Sequence, residues 1–181
     1  HMFMEAFFKA LQNLKQTHVL PENLRICFLG TGKYGGKSIT EYASENNMQA
    51  ETTEIRDRFP FLHILNFLSK ANAVLVIGST EKHYTASKTF QALLSGNPVI
   101  AVFHEMSSAV SFMKSSKADD YLSQYKESDT MENMVIKIQD TLTKYFKQSL
   151  PWNPDLSTLD KYSSKESARV LAQSMDSIIK E

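Results

Sequence analysis

A chain of 181 residues with 42% hydrophobic content suits one compact domain around a single core and is too short for two full domains. Lys and Arg number 20 and Asp and Glu number 20, so the formal charge is zero. No global field then gathers nucleic acid or anionic lipid, which argues against a polyanion-binding role. The single cysteine, Cys27, lies in the apolar run Ile26 to Leu29, where a buried strand with a packed thiol is expected. No apolar stretch approaches the roughly 20 residues that span a bilayer, so a soluble protein of the reducing cytoplasm is the expectation. His1 and Met2 read as what remains of a cleaved tag and cloning site, with the natural protein expected to begin upstream. Residues 3–150 are then expected to form the domain, and 151–181 its tail and last helix.

In chain order, Met4, Phe7, Phe8, Leu11 and Leu14 recur at helical spacing and predict an amphipathic helix that closes before Pro21. Leu24 to Leu29 predicts a short buried strand entering the turn Gly30, Thr31, Gly32, Lys33. A helix over about Gly36 to Asn46, a strand over Ala50 to Ile55 and a helix from Pro60 to Leu68 follow. Ala73 to Ile77 reads as a strand and Gly78 to Tyr84 as a polar loop. Thr85 or Ser87 can cap the next helix, which runs to Leu94 and stops at Gly96. The remaining expectations are a strand at Pro98 to Phe103, a helix at Ser107 to Lys114 and a strand within Tyr121 to Tyr125. Two amphipathic helices close the chain, one striped by Met131, Met134, Val135, Ile138, Leu142 and Tyr145, the other by Ala168, Leu171, Met175 and Ile178. Strands alternating with helices predict an α/β, Rossmann-like parallel sheet with helices on both faces and right-handed crossovers.

Open parallel sheets take ligands beyond the carboxyl ends of their strands, so the loops after Ile55, Ile77 and Phe103 are where chemistry is sought. The stretch ANAVLVIGSTEKHYTASKTFQALLSGNPVIAVFHE, Ala71 to Glu105, resembles the donor-binding domain of GT-B glycosyltransferases. That superfamily runs an "ADvll" strand into a polar loop, then a helix and an "sGkPVIa" strand, matched here by Ala71 to Ile77, Gly78 to Tyr84 and Ser95 to Ala101. Many bacterial members open the helix with a Ser-Lys pair, matched by Ser87 and Lys88. Arg58 to Leu62 is similar to an R-I/F-P-Y/F-L segment, and Leu150 to Ile179 to the closing segment.

The resemblance implies half of a GT-B architecture, with a nucleotide-diphosphate sugar as substrate and the acceptor site on a missing N-terminal domain. A pyrophosphate would lie at the start of that helix, bonded by Thr85 or Ser87 and balanced by Lys88, with no metal. Family members often have two glutamates separated by seven residues. Here His83 and Gln91 stand in those places, so the carboxylates are lost although both side chains can still meet a sugar or ribose hydroxyl. Arg58, Ser79, Tyr84, His104, Glu105 and Ser107 complete the candidate nucleotide and sugar contacts, and Gly30, Thr31 and Gly32 the diphosphate contacts.

Plain readings stand beside each of these. Ser87 can be only a cap, Lys88 only a solvated charge, the turn after Phe103 only a capping turn, and His63 only packing. The turn G-T-G-K-Y-G-G also fits the dinucleotide pattern G-x-G-x-x-G, with Glu54 at the end of the second strand as ribose partner. A nicotinamide-dependent oxidoreductase therefore stays open, as does a non-catalytic nucleotide-binding or partner-binding module. No His, Cys and carboxylate spacing suggests a metal site.

Overall fold

A computed structural model describes residues 2–32, 36–78, 87–147 and 151–179, with only the backbone of Ile179. Helix α1 (Met2–Gln16) buries Phe7, Phe8, Leu11 and Leu14 of the predicted stripe together with Phe3, Ala6 and Ala10, while Met4 is only half-buried. Strand β1 (Ile26–Leu29) pairs in parallel with β2 (Thr52–Ile55), in register Ile26 with Thr52 and Leu29 with Ile55. Between them runs α2 (Ile39–Glu45), opened by a capping box in which Ser38 accepts from the Glu41 amide and Glu41 reaches back to the Ser38 amide. After α3 (Phe61–Lys70) come β3 (Val74–Ile77), α4 (Lys88–Leu94), β4 (Val99–His104), α5 (Ser108–Ser115) and β5 (Leu122–Tyr125). These three strands form a parallel sheet in the order β3-β4-β5. Helix α6 (Met131–Lys147), a 3-10 segment (Leu156–Tyr162) and α7 (Ser164–Ile179) close the chain.

Every residue of β4 is buried, and the strand's alternation divides the core. Ile100 and Val102 face a cluster built from α1, α2 and α6, with Phe8, Leu11, Tyr42, Met134 and Ile138. Val99, Ala101 and Phe103 face the opposite cluster, with Leu93 of α4 and Val110, Phe112 and Met113 of α5. Helices therefore cover both faces of this sheet, and α1 packs along α6.

The expectation of one continuous sheet is corrected. Among the described residues β1 and β2 form a sheet of their own, with no ladder to β3. Ile26 and Phe28 of β1 and Leu75 and Ile77 of β3 still pack against the same core cluster. Among the described residues α3 has no buried residue, and one side of the β1–β2 pair is open. Cys27 is consequently exposed rather than buried, Ile55 is 38% exposed, and His63, expected to pack, is exposed.

The tail carries an element that periodicity does not reveal. Asp155 caps the 3-10 segment by accepting from the Ser157 amide, its own amide donates to the Ser116 carbonyl at 2.7 Å, and Leu159 is buried against the α4–α5 side of the core. Beyond it, Leu171, Met175 and Ile178 of α7 stay exposed. No helix among the described residues is long and apolar enough to cross a membrane.

Candidate functional site

The sequence placed its site at the carboxyl ends of the strands, and the described residues there fall into two groups. At the end of β1, Gly30 and Gly32 adopt φ of 71° and 76°, the left-handed backbone that favours glycine. Both amides of this turn already have partners on β2 and just beyond it. Gly30 N donates to the Ile55 carbonyl at 2.8 Å and Gly32 N to the Arg56 carbonyl at 3.0 Å, while Arg56 Nε donates to the Gly32 carbonyl at 2.9 Å. The Thr31 hydroxyl donates to Glu54 Oε1 at 2.7 Å. Glu54 Oε2 accepts from the Thr40 amide at 3.2 Å and the Thr40 hydroxyl at 3.1 Å. Burial pushes the Glu54 carboxyl up, but the Thr31 and Thr40 donors outweigh it and hold the group below its ordinary value. Sequence reasoning missed this clamp. Its signal was the acidic residue ending β2 opposite two threonines.

The second group lies at the ends of β3, β4 and β5. Gly78 follows β3, and a Cβ there would sit 2.7 Å from Phe103 Cδ1 and 3.1 Å from the Val102 carbonyl, so only glycine lets the chain leave the sheet at this point. The candidates Ser79, His83, Tyr84 and Thr85 lie outside the described residues, as does Lys33. Ser87 precedes α4 in a right-handed helical conformation and makes no side-chain cap bond, unlike the capping role open to it from sequence. Ser87 and Lys88 are exposed, and Gln91, one turn along α4, is half-buried. Arg58, exposed, follows β2 and so belongs with the first group.

After β4 the residues divide by role. His104 is buried, 4% exposed, and its Nδ1 accepts the Met106 amide at 3.1 Å. That bond places the ring proton on Nε2, which finds no partner among the described residues. His104 in this position steadies the turn. Ser107 is buried and caps α5 by accepting from the Ala109 amide at 3.2 Å. Glu105 stays exposed, 3.5 Å from Lys126, a surface pair of small energetic worth.

Tyr125 lies against His104, ring centroids 5.3 Å apart, and stacks on Phe3 at 4.2 Å. Burial pushes its phenol up to about 12, partly offset by a hydrogen bond to the His104 backbone. A neutral acid favoured by the fold stabilises it below the ordinary value of 10 and loses that contribution as pH rises from there towards 12. Thermal melts across this range are expected to fall more steeply for the wild type than for Tyr125→Phe.

Among the described residues no group of three His, Cys, Asp or Glu side chains could hold a metal ion. No protein-family model matches the chain, and no curated protein or solved structure matches it.

Proposed function

We propose that this chain is the nucleotide-sugar-binding half of a two-domain, cytoplasmic GT-B glycosyltransferase, which transfers a sugar from a nucleotide-diphosphate donor to an acceptor held by a second domain. The observation that carries the reading is the opening of α4: Ser87 and Lys88 stand exposed just before and at the first residue of a helix that follows β3. The helix flanks a parallel sheet covered on both faces. Ser87 spends no side-chain bond on capping, so its hydroxyl and the charge of Lys88 suit a diphosphate, with Gln91 in reach of a ribose or sugar hydroxyl.

The turn Gly30-Thr31-Gly32 has no part in this proposal, since the two glycine amides are engaged by β2 and its extension. The exposed stripe of α7 is the element that would meet the acceptor domain. It equally suits a second reading, a non-catalytic module whose partner covers α7.

The donor reading expects uridine, guanosine, thymidine, adenosine or cytidine diphosphate to bind weakly without added divalent metal, since the phosphate contacts are hydroxyl, amide and ammonium. Titration calorimetry decides this. No heat from any of the five at millimolar concentration would leave the non-catalytic module as the better reading.

A further inference from the structure

The sequence feature that keeps a dinucleotide cofactor open, an acid at the end of β2 following G-T-G-K-Y-G-G, has a different role in the folded chain. In dinucleotide-binding folds the acid reaches outward to a ribose while the pyrophosphate lies against the glycine turn and the start of the next helix. Here Glu54 turns inward. One oxygen takes the Thr31 hydroxyl from the turn, and the other takes the amide and hydroxyl of Thr40 from the first turn of α2. The neighbouring Glu41 takes the Ser38 amide at 2.6 Å and the Ser38 hydroxyl at 2.7 Å at the same helix start. With Gly30 N and Gly32 N donating to the Ile55 and Arg56 carbonyls, these donors of the turn and of the start of α2 are already held by the protein's own acceptors.

We infer that Glu54 is a specificity-determining residue, a tethered anion that ties the β1 turn to α2 and excludes phosphate-bearing cofactors from this half of the molecule. A ligand phosphate arriving at the turn would have to displace a carboxylate held at high effective concentration, and would then lie beside that carboxylate and Glu41 as like charges. Arg56 donates its Nε–H to the Gly32 carbonyl at 2.9 Å, which holds the turn against the end of β2. The inference is independent of the diphosphate proposal for Lys88.

Amide hydrogen exchange tests it with the chain alone. Glu54→Ala should speed exchange of the Thr40 amide, which donates to Glu54, about tenfold or more, as loss of a charge-assisted bond implies. Sodium formate, a free carboxylate, should slow it again, with no effect on the wild type. Thr31→Val, which keeps the charge but removes one donor, should loosen the same segment without responding to formate. In parallel, reduced nicotinamide dinucleotide titrated into the wild type should give no fluorescence change at millimolar concentration. Unchanged exchange in Glu54→Ala, no formate response, or dinucleotide binding that protects the Gly30 to Gly32 amides would each overturn the inference. No arm uses a nucleoside diphosphate, so failure here is separate from failure of the donor reading.

Discussion

Phe8→Ala is expected to destabilise the chain by about 3–5 kcal/mol, the range for removing a fully buried aromatic side chain from a core that cannot collapse around it. Phe8 is fully buried and joins three elements. Its ring stacks on Tyr42 of α2 at 6.3 Å, approaches Phe28 of β1 at 6.1 Å and meets Phe7 edge-on at 5.5 Å. Since among the described residues β1 and β2 have no ladder to the rest of the strands, the packing of α1 and α2 over Ile26 and Phe28 is a main link between the two sheets. Urea unfolding should show the midpoint falling with little change in slope. A loss under about 1 kcal/mol would mean that α1 is an appendage rather than part of the core.

The order of elements was legible because apolar periodicity is decided locally. Pro98 to Phe103 reads as a continuous apolar run, and β4 is buried on both faces. The alternation at Tyr121 to Tyr125 was a weak signal in the sequence, yet β5 forms there because Tyr125 is held between Phe3 and His104. Where the sequence misled, the cause was non-local. Cys27 read as buried from the apolar run around it and His63 as packing from its apolar neighbours, yet Cys27 is exposed and α3 buries no residue. The 3-10 segment at Leu156–Tyr162 has no period to find, since it rests on one capping carboxylate and one buried leucine.

The candidate site was marked in a different way. The resemblance of the Ser-Lys pair and of the helix it opens marked Lys88, Ser87 and Gln91, and these are exposed or half-buried along the start of α4. His104 and Ser107 were marked by their place after the strand ending at Phe103, and both are buried and bonded within the turn after β4. Polar residues at strand ends serve either a ligand or the backbone, and spacing does not distinguish the two uses. Glu54 shows the same ambiguity: its place in the pattern suggested a ribose contact, and its bonds make it an internal tie.

Lys88→Ala should weaken nucleoside diphosphate binding about tenfold or more, since a charge-assisted contact to phosphate is worth roughly 1.5–3 kcal/mol. The fold should hardly notice. Lys88 is exposed at the first position of α4, where an ammonium opposes the helix dipole and contributes little to packing, so its removal is expected to leave the melting temperature unchanged or slightly raised. Ser87→Ala sharpens the comparison. Because Ser87 makes no side-chain cap bond, its substitution should also spare the melting temperature while reducing affinity if the hydroxyl meets a phosphate oxygen. A purely structural Ser-Lys pair predicts the reverse, with affinity unaltered in Lys88→Ala and stability lost in Ser87→Ala. Calorimetry and thermal melting on the two variants separate these cases, and an undiminished diphosphate affinity in Lys88→Ala would remove the opening of α4 as the phosphate site.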